Sequence, residues 1–198
     1  MVVVSGTGSI CYGIDAKGTI YRTGGWNHIL SDEGSAFYLG MQTMRLAAED
    51  LDERTKCPYL TRMFMEKSGL DTLEKIDLFV NEHLFDKSEI ACFSMIACEA
   101  AKQGDPQAEG ILKDCAEKIW KLIEDTARKA GWTRQSQESF ASGMEKPHLW
   151  LWGSVLVKNE IIRDEVVKRV RQVMPEIAVA VPETSALDLA LMLAGKIR

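Results

Sequence analysis

The chain has 198 residues, of which 46% are hydrophobic, enough for one folded domain with a proper core rather than a disordered segment. Its formal net charge of −5, from 24 basic and 29 acidic residues, provides no excess of positive charge for phosphates, so we expect no nucleic-acid partner. No apolar run reaches membrane-spanning length and the first residues do not resemble a signal peptide, so we expect no membrane partner.

The cysteines and histidines do not suggest a metal site. The five cysteines are an odd number without a Cys-x-x-Cys pair, and the three histidines are scattered. Reduced thiols in the cytosol are the more ordinary interpretation, because structural zinc and iron–sulfur sites need closer ligand pairs. We therefore expect a cytoplasmic protein in which no residue of the chain forms a metal site.

The first two thirds of the chain predict strands followed by helices. β-Branched and alternating residues joined by turn residues predict strands over 2–4, 10–14 and 19–23. From Phe37 to Leu51 apolar residues recur every three or four positions, which predicts an amphipathic helix. Further helices are predicted over 60–67, 70–80, 89–102 and from 106 to about 130, before a polar loop over 133–147.

The last third predicts a strand–helix–strand–helix order: buried strands over 149–152 and 177–181, and helices over 159–173 and 187–197. This βαβ pattern favours parallel pairing with a right-handed crossover. The predicted fold class is α/β, a mixed sheet of three N-terminal strands plus a C-terminal βαβ unit, with a helical insertion and flanking helices. Residues 1–198 are expected to form a single domain, since no repeat or linker divides them.

A small-residue turn, Gly6-Thr7-Gly8-Ser9, directly follows the first predicted strand. Glycines let backbone amides approach phosphate oxygens closely, and the Thr7 and Ser9 hydroxyls can donate to the same oxygens. An ordinary turn between strands has the same composition and, on these four residues alone, is the more common case.

A second glycine-containing segment, from Gly24 to Ser35, is more specific. Gly25 allows close approach of the backbone, Trp26 offers a flat apolar face of the kind that supports a sugar ring, and Asp32 can accept hydrogen bonds from hydroxyls. The structural alternatives are that Trp26 is a core residue and that Asp32 caps the following helix. Asp32 could have both roles.

A third turn, Trp152-Gly153-Ser154-Val155, follows a predicted strand and precedes a helix. Ligands of open α/β folds bind at the carboxyl ends of such strands, although a simple connecting loop is the alternative. By contrast, the segment over 13–19 only superficially resembles the Asp-x-Gly-x-Thr loop of sugar kinases. Its spacing differs, so we interpret it as a hairpin turn.

These three segments together resemble the C-terminal lobe of the N-acetylglucosamine kinases. Those enzymes belong to the BadF/BadG/BcrA/BcrD group within the actin-like sugar kinase and Hsp70 superfamily. Further matching residues follow in the expected order: Asp86-Lys87, Ala91, Gln103-Gly104-Asp105-Pro106 and Ser185-Ala186-Leu187. The resemblance covers essentially the whole chain and implies a ribonuclease H-like, actin-type ATPase lobe.

The resemblance also implies the ligands and their contacts. The reaction would be phosphoryl transfer from ATP, with Mg²⁺, to the 6-hydroxyl of N-acetylglucosamine or a related amino sugar, which requires positioning and charge stabilisation. The residues expected to contact the sugar are Gly8, Gly25, Trp26, Asp32 and Ala36. Those expected to bind ATP are Thr7, Gly8 and Ser9 at the phosphates and Ala91, Gly153 and Ser154 at the adenosine.

The sequence also departs from the family pattern. Asn27 and Ser31 stand where the family usually has glycines, and Asp188-Leu189 stands where it has a small pair near the nucleotide. The family's N-terminal lobe, which carries the expected catalytic aspartate, has no counterpart here. We therefore expect no catalytic base in this chain, half of each binding site, and weak or no kinase activity from this polypeptide alone.

Two alternatives remain open. The chain could be a non-catalytic sugar-binding or dimerisation module, because in this family the C-terminal lobe tends to mediate pairing, and its partner would then be a second copy or a separate N-terminal lobe. It could also be a BadF-type ATPase, an activator that shares an iron–sulfur cluster between subunits. The cysteine arrangement and the Gly-Gly-Trp block argue against that second alternative.

Overall fold

The computed structural model describes residues 1–132 and 147–182. The predicted helix over 187–197 and nearly all of the predicted loop over 133–147 lie outside the described residues, as do Ser185-Ala186-Leu187 and Asp188-Leu189. In the described ranges, no helix is both long and apolar enough to cross a membrane.

Within the described residues, five strands form one mixed sheet in the order β3-β2-β1-β4-β5. They are β1 (Val2–Ser5), β2 (Ser9–Ile14), β3 (Ile20–Gly24), β4 (His148–Trp152) and β5 (Ala178–Ala180). The first three strands pair antiparallel, whereas β4 lies parallel to both β1 and β5. The predicted mixed sheet, with three N-terminal strands and a C-terminal βαβ unit, is confirmed.

The hairpin between β2 and β3 is closed by Asp15. Its carboxylate accepts hydrogen bonds from the backbone amides of Lys17 and Thr19, both at 2.8 Å. Short polar side chains commonly stabilise turns in this way. The segment over 13–19 is therefore a hairpin turn, as predicted.

The described helices between β3 and β4 form a cluster in which α6 contacts the sheet and the others pack on α6 or on one another. They are α1 (Ala36–Leu51), α2 (Pro58–Ser68), α3 (Leu73–His83), α4 (Lys87–Ala91), α5 (Ser94–Lys102) and α6 (Pro106–Lys129). Two more, α7 (Ser154–Lys158) and α8 (Glu160–Val173), connect β4 to β5. The prediction of one helix over 89–102 is wrong, because the chain turns between α4 and α5 where Phe93 packs against Phe64 and Phe79.

The core lies where α6 crosses one face of the sheet and contacts α1, α5 and α8. Leu112, Cys115 and Ile119 of α6 are fully buried at helical spacing, and the sheet contributes Val3 and Cys11. In β4 only alternate residues are buried: Leu149 and Leu151 are inaccessible, whereas Trp150 is 42% exposed. The prediction of a continuously buried strand there is wrong, because an apolar run does not show how many faces of a strand are covered.

Candidate functional site

The turn Gly6–Ser9, called here the first turn, is held against the start of α1. The backbone amides of Ala36 and Phe37 donate to the carbonyls of Gly6 and Thr7, at 2.8 and 3.3 Å. The buried Ser5 hydroxyl donates to the carbonyl of Gly34 at 2.6 Å. These bonds place the first turn beside the segment Gly24–Ser35, called here the Trp–Asp segment.

Asp32 is the point at which the two segments meet. Its side chain is 4% exposed, and its φ of 71° is in the left-handed region that few non-glycine residues adopt. One carboxylate oxygen accepts from the Ser9 amide at 3.0 Å, and the other pairs with Nζ of Lys87 at 2.9 Å. The N-cap of α1 is Ser35, whose hydroxyl accepts from the Tyr38 amide, so the alternative that Asp32 caps this helix is wrong.

Gly8 lies directly against this ion pair. A Cβ atom added at Gly8 would lie 2.8 Å from both carboxylate oxygens of Asp32 and 2.9 Å from Nζ of Lys87. Only glycine, which has no Cβ atom, lets the first turn lie this close to the Asp32 carboxylate.

Ser9 and Thr7 differ in accessibility. Ser9 is 2% exposed, and its hydroxyl donates its single proton to the carbonyl of Glu33 at 2.7 Å. That hydroxyl joins the two segments and has no proton left for the phosphate contact that we expected. Thr7 is exposed at the tip of the first turn, where its hydroxyl can reach a ligand.

Trp26 lies at the exposed end of the Trp–Asp segment. Its side chain is 69% exposed, so the alternative that it belongs to the core is wrong. The Arg22 guanidinium lies 3.8 Å from the centre of the Trp26 ring and also donates to the carbonyls of Gly24 and Gly25. Arg22 therefore orients the indole and covers part of it, and the rest of the apolar surface is open to solvent.

Two clefts flank the start of α1. The first, of about 340 Å³, is bordered by residues 28–33 of the Trp–Asp segment and by one side of α1. Asp32 is among its lining residues, whereas Gly25 and Trp26 are not. The second, of about 290 Å³, lies on the opposite side of α1. Its lining includes Ala36, Leu39, Ser94, Cys98, Ser154 and Asn159.

The second cleft contains Ser154, which was predicted to contact adenosine, and also Ala36, which was predicted to contact the sugar. Gly153 has a φ of 91°, and a Cβ there would lie 2.2 Å from the carbonyl oxygen of Ser5, so this glycine lets β1 and the third turn touch. Ala91 is 8% exposed and packs beside Gly40 of α1, outside the lining of the cleft. Of the three predicted adenosine contacts, only Ser154 lines the cleft.

No three His, Cys, Asp or Glu side chains of the described ranges are close enough to hold a metal ion. Burial raises the pKa of the Cys11 thiol to about 11, and Cys115, in the core, has its pKa raised by burial as well. Both thiols are therefore protonated at neutral pH and have the character of core residues rather than ligands.

Sequence reasoning missed the partners of Asp32 and Trp26, two of the five predicted sugar contacts. Lys87 pairs with Asp32 from 55 residues away, and Arg22, in the strand that directly precedes Trp26, stacks on its ring. Lys87 was noted only as part of the family resemblance, without a role. The Lys87–Asp32 contact depends on how distant elements pack, so no local spacing indicates it. The Arg22–Trp26 contact joins residues four positions apart, and that spacing was a local signal that sequence reasoning did not use.

The sequence matches proteins of known family. Residues 1–185 match the model of the BadF/BadG/BcrA/BcrD ATPase family. The chain belongs to this family. An N-acetylmuramic acid/N-acetylglucosamine kinase of Clostridium acetobutylicum is 32% identical over 124 residues, which is 63% of this chain and 40% of that protein. An N-acetyl-D-glucosamine kinase of Dictyostelium discoideum is 27% identical over 176 residues, 88% of this chain and 52% of that protein.

Solved structures share the fold. A protein of Chromobacterium violaceum, provisionally named an N-acetylglucosamine kinase, superposes on 97% of this chain and 58% of its own length, with a TM-score of 0.70 and 22% identity. Another of the same provisional name, from Porphyromonas gingivalis, superposes on 92% of this chain and 56% of its own, with a TM-score of 0.57 and 20% identity. The predicted actin-type lobe is confirmed, and the chain spans about half the length of the curated relatives it matches.

Proposed function

We propose that this chain supplies the C-terminal half of an amino-sugar kinase, which transfers a phosphoryl group from ATP to the 6-hydroxyl of N-acetylglucosamine. The observation that carries the proposal is the junction of the first turn with the Trp–Asp segment at Gly8 and Asp32. Phosphoryl transfer from a nucleotide to a sugar requires that the two substrates be held side by side. A turn proposed to face the phosphates, in contact with a carboxylate that can accept hydrogen bonds from sugar hydroxyls, would provide this.

The sugar side is supported by two kinds of contact. The Asp32 carboxylate, held by Ser9 and Lys87, keeps acceptor capacity for sugar hydroxyls. Trp26, together with Gly25, offers an apolar platform of the size of a pyranose ring. The two curated relatives are both named as kinases of N-acetylated amino sugars, which agrees with this ligand class.

On the ATP side, Thr7 and Gly8 of the first turn would bind phosphate oxygens, and the second cleft would receive the adenosine beside Ser154 and Ala36. The size of that cleft, about 290 Å³, suits a nucleoside. Mg²⁺ supplies charge neutralisation and is typically held by phosphates, waters and one or two carboxylates, so it would arrive with ATP. Within this chain the residues orient the two substrates.

The opposing half of the site would come from an N-terminal lobe, in the same polypeptide or supplied separately. In this proposal residues 1–198 are one lobe, and the catalytic base belongs to the other. The polypeptide alone would then bind amino sugar without turning it over.

The test combines calorimetry with N-acetylglucosamine and a coupled assay of ADP release, for the wild-type chain and for Asp32→Asn. We expect heat of sugar binding from the wild type, a strong loss in the variant, and no turnover from either. Rapid turnover by the wild type would reject the half-site proposal. No heat from the wild type would reject the sugar site and leave an assembly role.

A further inference from the structure

Lys87 lies at the junction described above, although it comes from a distant element. It is the first residue of α4, whose N-cap Asp86 accepts a hydrogen bond from the Ser88 amide at 3.2 Å. The same short helix packs closely on α1, since a Cβ at Gly40 would lie 2.0 Å from the carbonyl oxygen of Ile90. The backbone that carries Lys87 is therefore fixed against the helix that also holds the first turn.

The two members of the Lys87–Asp32 pair differ in burial. The Asp32 side chain is 4% exposed, whereas the Lys87 side chain is 39% exposed. A buried carboxylate is costly unless a cation or several hydrogen bonds compensate it. In the described part of the chain, Lys87 is the cation that pairs with Asp32, so it compensates this buried charge while part of its own side chain faces solvent.

Two hydrogen bonds do not use the full acceptor capacity of the Asp32 carboxylate. An ionised carboxylate can accept about four hydrogen bonds. The Ser9 amide and Lys87 each occupy one position, on different oxygens, so about two remain. Two adjacent hydroxyls of a sugar ring would use two positions, provided that the carboxylate cannot rotate.

We infer that Lys87 is a positioning residue of the sugar site, which acts through Asp32 by neutralising the buried carboxylate and fixing its rotation. This inference rests on the proposed sugar site. It also explains the glycine at position 8, since both atoms of the ion pair fill the space that a side chain there would need. Without the ammonium, the carboxylate would lose its orienting partner and turn its open acceptor positions away from the sugar.

An ordinary surface ion pair would behave differently, and the chain contains a matched example. Lys75 pairs with Asp71 at 2.5 Å, one turn apart on the exposed surface, with both side chains more than half exposed. Such pairs contribute little to stability or binding, because water solvates the two separated charges about as favourably as they interact with each other. Lys75→Met is therefore the control for Lys87→Met.

The experiment measures N-acetylglucosamine affinity by calorimetry for the wild-type chain, Lys87→Met, Lys87→Arg and the control Lys75→Met, each checked for folding by circular dichroism. Loss of a charge-assisted hydrogen bond corresponds to roughly ten- to a hundredfold weaker binding, which we expect for Lys87→Met. Lys87→Arg keeps a cation at this position and should bind within about threefold of the wild type. Lys75→Met should bind like the wild type.

Three results would overturn the inference. Wild-type affinity in folded Lys87→Met would show that Asp32 needs no partner. If Lys87→Met fails to fold, folded Lys87→Arg decides alone, and weak binding by Lys87→Arg would overturn the positioning role. No binding by the wild-type chain would reject the proposed sugar site and this inference with it. This outcome differs from wild-type affinity in Lys87→Met, where the wild-type chain itself binds the sugar.

Discussion

The two ends of the Trp–Asp segment are built in opposite ways. At one end Asp32 is almost inaccessible and is tied to the first turn by Ser9 and to α4 by Lys87. At the other end Trp26 is mostly exposed and is held by Arg22. A charged group therefore lies at the buried end and a large aromatic ring lies at the exposed end. In most proteins charged residues are exposed and large aromatic residues are largely buried.

This difference has a physical reason. A carboxylate that discriminates among hydroxyls must have a fixed direction, and in a buried site every lost hydrogen bond costs free energy, so burial enforces the geometry. An aromatic platform contacts a ring through apolar area, which depends weakly on small rotations. In the proposed sugar site, the buried end would therefore contribute to stability and orient the ligand, and the exposed end would supply contact area.

The largest effect is expected from Asp32→Ala, which removes the buried carboxylate. The change leaves the buried Ser9 amide without its acceptor and places an alanine in a left-handed conformation, so the free energy of unfolding should fall by about 3 kcal/mol. Urea denaturation followed by circular dichroism measures this. Asp71→Ala removes an exposed carboxylate and should leave the denaturation midpoint unchanged. Equal midpoints for the two variants would contradict the assignment of Asp32 as a structural tether.

Gly8→Ala changes the first turn where it contacts Asp32, at the buried end of the Trp–Asp segment. The new methyl group would displace the Asp32 carboxylate or Lys87, and overpacking of this kind costs about 1–3 kcal/mol of stability. Sugar affinity should fall together with stability, as measured by thermal denaturation and calorimetry. Gly6→Ala is the matched control, because a Cβ at Gly6 meets no atom within 4 Å. Similar losses in both variants would mean that the turn itself is sensitive, rather than its contact with the ion pair.

Arg22→Met should have a smaller effect on stability. It removes the stacking on Trp26 and the bonds to the Gly24 and Gly25 carbonyls, at a cost of about 1 kcal/mol because these groups are partly solvated. Sugar affinity should fall as the indole loses its fixed position. Arg22→Lys keeps the charge but not the planar stacking, and full recovery of affinity in Arg22→Lys would show that charge alone is needed.

Trp26→Ala should change stability least, by less than about 0.5 kcal/mol, because an exposed side chain loses little contact on truncation. Its effect should appear in binding, with N-acetylglucosamine affinity reduced roughly tenfold. Phe85→Ala is the control, because the Phe85 side chain is 82% exposed. It tests whether loss of any exposed aromatic side chain is enough to reduce sugar affinity. A Trp26→Ala variant with wild-type affinity would remove the platform from the proposed site.

Much of the fold could be predicted because its signals are local. Alternating residues and turn residues in the first 24 positions predict the antiparallel strands, and the four-three spacing from Phe37 predicts α1. The break between α4 and α5 could not be predicted from local spacing: it lies at Phe93, which contacts Phe64 of α2 and Phe79 of α3. The exposure of Trp150 likewise depends on which face of β4 another element covers.

Residue types and short spacings were enough to predict the order of the five strands along the chain, to locate the glycine turns, and to single out Trp26 and Asp32 as the residues proposed for the sugar. These depend on residue types and short spacings, which act through local backbone preferences. The packing of the folded chain is what buries Asp32 against Gly8, directs the Ser9 hydroxyl to the carbonyl of Glu33, and brings Lys87 to Asp32. Contacts between elements tens of residues apart arise from packing and burial, and no local pattern in the chain encodes them.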